Sequence, residues 1–148
     1  MMAGLDADGK LVGILRVDAL LDGGFACLWY LAVDSDARGR GVGSACLEES
    51  LRRCREAGAR AALWEVEIPE ESPDPQFARR RIEFYRRHGA LMLRGIHYLQ
   101  SVGPHQPAIP MHIMVYPFEP VTPQQALDFV RELFGEQSVT VVGELGLE

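Results

Sequence analysis

The segment Leu31-Ala32-Val33-Asp34-Ser35-Asp36-Ala37-Arg38-Gly39-Arg40-Gly41-Val42-Gly43-Ser44 constrains the fold more than any other part of the chain. It passes from an apolar strand through a short acidic loop into a glycine-rich turn, and an amphipathic helix follows at once. A strand that feeds a helix in this way belongs to an α/β domain. The turn also exposes backbone N–H groups at a helix N-terminus, where the helix dipole favours negative charge. Arg38 and Arg40 flank it and suit phosphate oxygens. Three alternating glycines are more than a simple strand-to-helix turn requires, because each costs backbone entropy. The dinucleotide fingerprint needs glycine or alanine where this chain has Cys46, and a P-loop needs a lysine before Ser44. The turn is therefore read as a pyrophosphate site of another kind.

The rest of the 148 residues supports one soluble domain, 1–148, of α/β class. Apolar residues make up 47% and charged residues 24%, as in ordinary globular proteins. No apolar run approaches the ~20 residues of a membrane span, so no membrane partner is expected. The net charge of −6 argues against nucleic acid as a partner, since such binders carry a basic excess. Cys27, Cys46 and Cys54 form no Cys-x-x-Cys pair, and the odd number fits a reduced, cytoplasmic protein. His88, His97, His105 and His112 have no metal-binding spacing, and no metal is expected.

Periodicity divides the chain into elements. Val12–Val17 and Phe25–Val33 read as strands, with a short first strand joined to the former by a turn at Asp6–Gly9. From Val42 a helix places Leu47, Leu51 and Cys54 on one face, with Glu48–Arg52 and Glu49–Arg53 spaced as pairs on the other. Ala61–Ile68 is a strand, and the prolines of Pro69–Pro75 make a loop. Asp74 and Pro75 open a helix that ends at His88-Gly89. Strands Leu91–Gln100 and Ile109–Pro117 follow. Residues 121–148 are a C-terminal extension: Thr122 and Gln125 have capping-box spacing, and Ala126, Leu127, Val130, Leu133 and Phe134 form one apolar stripe. A short strand, Ser138–Val142, closes it. Such a stripe must be buried somewhere, either on the sheet or against a second copy of the chain, and a homodimer is one expectation.

The turn Arg38-x-x-Gly41-x-Gly43 resembles the acyl-CoA motif of the GNAT superfamily of N-acetyltransferases. The segment Phe84-Tyr85-Arg86-Arg87-His88-Gly89 is similar to that family's Phe-Tyr-x-x-x-Gly helix end, in the family order. Glu65-Val66 and Tyr98-Leu99-Gln100 match a bacterial subgroup of it. The resemblance covers about Gly9 to Tyr116. It implies a GNAT-like fold: a mixed, mostly antiparallel sheet with helices on both faces. It also implies acetyl-CoA as co-substrate and a primary amine, on a small molecule or peptide, as acceptor. Leu31, Ala32 and Val33 would pair with the pantetheine arm. Arg38, Gly39, Arg40, Gly41, Val42, Gly43 and Ser44 would hold the pyrophosphate. Tyr85 would lie near the CoA sulfur. Three departures stand out. The family's first strand and first two helices have no counterpart before Asp6–Gly9, Ala78 replaces a frequent asparagine, and Ala90 follows Gly89 in place of an aromatic.

Three residues carry the expected chemistry. A phenol at Tyr85 has a proton to give to a departing thiolate. Glu65 and Glu67 project from one face of their strand, with Trp64, Val66 and Ile68 on the other. One carboxylate, Glu65 ahead of Glu67, suits the general base that takes the amine proton directly or through water, once burial or its neighbour raises its pKa, while the other attracts the ammonium. The rival reading is a non-catalytic acyl-CoA sensor or partner subunit of the same fold.

Overall fold

The computed structural model describes residues 2–5, 11–18, 24–39 and 41–148. Its contacts divide the chain into two compact units, Met1–Trp64 and Glu65–Glu148. The Asp6–Gly9 turn lies outside the described residues.

In the first unit, β1 (Met2–Leu5), β2 (Leu11–Asp18) and β3 (Phe25–Val33) form an antiparallel meander, and β4 (Ala61–Glu67) begins parallel to β3. Helix α1 (Val42–Glu56) makes the crossover between β3 and β4 that two parallel strands require. It buries Cys46, Leu47, Leu51 and Cys54, as its period predicts. Ser50 is fully buried on the same helix, and its hydroxyl donates to the Cys46 carbonyl one turn back at 2.8 Å. On the outer face Arg52 turns to Glu49 and Glu56, while Arg53 also donates to Glu49. These two guanidinium groups hold Glu49 down to about 2.

The second unit takes the remainder of β4, then α2 (Pro75–Arg87), β5 (Leu91–Gln100), β6 (Ile109–Pro117), α3 (Pro123–Phe134) and β7 (Val139–Leu147). The spatial order is β4-β6-β5-β7, and β5 is antiparallel to both neighbours. The β3–β4 ladder is parallel and the β1–β2, β2–β3, β5–β6 and β5–β7 ladders are antiparallel, so the strand pairing is mixed and mostly antiparallel, as expected from the sequence.

Several boundaries depart from expectation. Strand β4 stops at Glu67 because Ile68 caps a 3-10 turn, Pro69–Glu71, inside the predicted loop. Strand β7 runs to Leu147 and not merely to Val142, since it finds β5 as a partner: Val139, Thr140 and Val141 pair with Tyr98, His97 and Ile96, and Gly146 and Leu147 with Arg94 and Leu93. The predicted capping box of α3 is present in both directions, Gln125 N to Thr122 Oγ1 at 3.1 Å and Thr122 N to Gln125 Oε1 at 2.8 Å. Phe129 joins Ala126, Leu127 and Val130 in the core, whereas Leu133 and Phe134 are only half-buried. Helix α3 packs against β5 and β7, so the extension covers its own sheet. Among the described residues no helix is long and apolar enough to cross a membrane.

Candidate active site

The first unit holds a bent strand and the turn after it. Strand β3 pairs with β2 from Cys27 to Val33, but Arg16 and Val17 of β2 lie opposite Tyr30 and Leu28, which leaves Trp29 as an extra residue. A bulge of this kind bends its strand and strengthens the twist. The parallel ladder to β4 runs over Phe25↔Ala61, Ala26↔Ala62 and Cys27↔Leu63, just before the bulge, whereas β3 continues to Val33. Leu31, Ala32 and Val33 therefore lie beyond that ladder. Leu31 is buried, Val33 half-buried and Ala32 exposed.

A 3-10 turn, Ser35–Ala37, follows, capped by Asp34, whose Oδ1 accepts from Asp36 N at 2.8 Å. Gly39 and Gly41 then adopt φ of 80° and 76°, a region closed to most L-residues. Among the described residues, a Cβ added at either would meet nothing within 4 Å. Gly41 is the N-cap of α1 and brings no side chain to its first N–H groups, and the first turn holds no acidic residue. These features fit an anionic ligand approaching the backbone of Val42, Gly43 and Ser44. Arg38 is exposed, and its Nε reaches back to the Val33 carbonyl at 3.4 Å. Arg40 lies outside the described residues.

The second unit gives the two glutamates different surroundings. Glu65 is half-buried, and the Tyr98 hydroxyl donates to its Oε2 at 3.1 Å. Burial pushes its pKa up, and hydrogen bonds from Tyr98 and Gln100 pull the other way without cancelling that rise. Glu67 is exposed and accepts from the Ser72 hydroxyl at 2.5 Å. Ser72 Oγ in turn accepts from Asp74 N at 3.2 Å, which ties Glu67 to the N-cap of α2. Two arginines of α2 turn elsewhere: Arg79 faces Glu70 at 3.8 Å, and Arg86 donates to the Glu148 carbonyl at 3.1 Å. Of the two carboxylates, Glu65 has the surroundings of a general base.

Tyr85 is buried on α2, with the Phe84 ring at 5.4 Å and the Arg81 guanidinium 5.8 Å from its ring centroid. Ala78, two turns earlier, is buried as well. His88 caps this helix and approaches the Phe84 carbonyl through Nδ1 at 2.8 Å. Among the described residues there is no group of three His, Cys, Asp or Glu side chains suited to a metal ion. An open hollow of about 600 Å³ lined by Leu91, Phe118, Val121 and Leu147 holds none of the expected site residues.

Sequence reasoning missed two features. The bulge at Trp29 leaves no mark, because Phe25–Val33 contains neither glycine nor proline. The link from Tyr98 to Glu65 was partly legible, since Tyr98 and Gln100 alternate onto one face of a strand as Glu65 and Glu67 do. What sequence lacks is the order of strands that brings them together.

Comparison with known proteins agrees with the fold. Residues 1–90 match the family described as Acetyltransferase (GNAT) family. A solved structure from Bacteroides thetaiotaomicron assigned to that family superposes with a TM-score of 0.67 at 24% identity, covering 88% of this chain and 70% of that one. The ribosomal-protein-S18-alanine N-acetyltransferase of Escherichia coli gives 0.58 at 22% identity, over 79% and 68%. Nourseothricin acetyltransferase gives 0.58 at 26% identity, over 76% and 61%. No curated protein sequence matches the chain.

Proposed function

Because the chain belongs to the GNAT acetyltransferase family, we propose that it moves the acetyl group of acetyl-CoA onto a primary amine by direct attack of the amine on the thioester. The observation that carries the reading is the turn, where Gly39 and Gly41 hold left-handed backbone, with no described atom within 4 Å of an added Cβ, at a helix N-terminus without a side-chain cap. Main-chain N–H groups of Val42, Gly43 and Ser44, with Arg38 and Arg40, take the pyrophosphate. Leu31, Ala32 and Val33, on β3 past the bulge, offer main-chain groups to the pantetheine arm.

In the reaction a C–N bond forms and the C–S bond breaks. Glu65 accepts the proton lost by the amine, and the raised pKa that burial gives it makes it a better base than an exposed carboxylate. Tyr85 gives its phenolic proton to the leaving thiolate, so that CoA departs as the thiol. Glu67, exposed on the same strand, draws the cationic acceptor toward Glu65. Holding both substrates in line supplies the larger part of the rate, ~7–11 kcal/mol in favourable cases. A half-buried carboxylate held by two polar side chains favours this reading over a sensor that only binds acyl-CoA, which needs no base.

Thiol release from acetyl-CoA, followed with spermidine, free amino acids, nourseothricin and an alanine-headed peptide, tests the proposal. One of these amines should give turnover that scales with enzyme. Failure of every amine, with acetyl-CoA bound, would favour the sensor. With the active amine in hand, Glu67→Gln should raise the KM for the amine by up to about fivefold, since an exposed ion pair is worth ~1 kcal/mol at most. Its kcat should stay near the parent value, and a collapse in kcat would move the base from Glu65 to Glu67.

A further inference from the structure

We propose that Tyr98 is the positioning residue for Glu65, and that Phe134 of α3 holds Tyr98 in place for it. The inference rests on the reading of Glu65 as the base, and it deepens that reading by bringing the C-terminal extension into the chemistry.

Tyr98 is held from every side. It is 2% exposed, and its main chain lies in register with Met111 of β6 and Val139 of β7. A strand residue paired on both edges cannot swing. Its ring meets that of Phe134 with centroids 5.2 Å apart and planes tilted by 52°, within the range of favourable aromatic pairs. Phe134 is the last residue of α3, and Gly135, at φ 99°, ends the helix there. The ring is thus delivered by a helix whose start is fixed by the Thr122–Gln125 box. At the far end of the tyrosine the hydroxyl donates to Glu65 Oε2.

A buried tyrosine needs some partner for its hydroxyl, so burial alone would explain a hydrogen bond. The choice of acceptor is what matters. A donor to one oxygen of a carboxylate restrains its rotamer. It also stabilises the charged form, which is the form a base must have. Among the described residues, Tyr98 and Gln100, both on β5, are the polar side chains acting on Glu65, while the neighbouring Glu67 is held by Ser72. Residues 91–148 lie beyond the matched family region, so the brace is supplied by a part of the chain that the family match does not include.

Tyr98→Phe keeps the ring against Phe134 and removes only the donor. With burial then less opposed, Glu65 stays protonated to higher pH. The acid limb of the kcat/KM profile should move to higher pH, and kcat at pH 7 should fall roughly tenfold, as for loss of a hydrogen bond to a charged group. Phe134→Leu leaves the donor but loosens its support, and should move the limb in the same direction by less. A readout free of turnover is the titration of the Glu65 side-chain carbonyl in ¹³C-labelled protein, assigned with Glu65→Gln. It should shift upward in Tyr98→Phe, and less in Phe134→Leu. An unchanged Glu65 titration in Tyr98→Phe, at an unchanged melting temperature, overturns the inference whether or not the protein turns over an amine. A shifted titration in a protein that acetylates no amine supports the coupling and removes the transferase reading instead.

Discussion

Replacing Glu65 by glutamine should lower kcat by ~10²–10⁴, the usual worth of a positioned general base, and should at the same time make the protein more stable at neutral pH. The second effect follows from the direction of the pKa shift. Burial raises the folded-state pKa of Glu65 above its unfolded value, so the folded chain holds that proton more tightly. The contribution to stability is complete below the unfolded value and is lost as pH rises through the folded one. Glutamine imitates the protonated group at every pH. The variant should therefore melt above the parent at pH 8, and the difference should close as pH falls into the carboxylate range. Thermal melts at several pH values, beside steady-state rates, check both parts. Loss of rate together with loss of stability would make Glu65 a structural residue. The acid in the same scheme, Tyr85, should cost a similar factor when changed to phenylalanine, with acetyl-CoA affinity unaltered.

The second large effect concerns stability alone. At Gly95 the backbone has φ 86°, and a Cβ there would stand 2.3 Å from the Glu144 carbonyl oxygen and 2.7 Å from its carbon. These are backbone atoms of β7, which cannot rotate away as a side-chain end can. Gly95→Ala should cost roughly 2–5 kcal/mol, combining left-handed strain of ~1–2 kcal/mol with overpacking of ~1–3 kcal/mol. That is a large part of the ~5–15 kcal/mol that holds a domain of this size folded. Gly135→Ala provides the comparison, because Gly135 has φ 99° but nothing within 4 Å of the added atom. It should lose only the strain. Equal destabilisation in the two variants would mean that β7 does not press on Gly95.

The contact at Gly95 also marks where sequence reading stopped. Strands β3, β5 and β6 and helix α3 run over the predicted residues, because each has a strong period between clear punctuation such as Gly89-Ala90, Thr122-Pro123 and Gly135. Strand β7 was cut short at Val142, since Gly143, Glu144 and Gly146 break its alternation. Its later residues are strand only because β5 lies beside them, with an irregular register around Gly95 that no local signal encodes. The candidate site divides in the same way. The glycine turn after β3 was legible because left-handed backbone and close approach demand glycine. The preference for Glu65 over Glu67 gains its physical ground from the surroundings of each, a donor from β5 for one and Ser72 for the other.

The central claim is that the Gly39–Ser44 turn holds the pyrophosphate of an acyl-CoA, and calorimetric titration of the whole protein with acetyl-CoA tests it most directly. Gly41→Val adds bulk at the turn, and Gly41→Asn adds bulk with a residue that tolerates left-handed backbone. The parent should bind with about micromolar affinity, and both variants should lose most of that binding while still folded. A folded parent that gives no binding heat, or a Gly41→Asn protein that binds as tightly as the parent, would contradict the account.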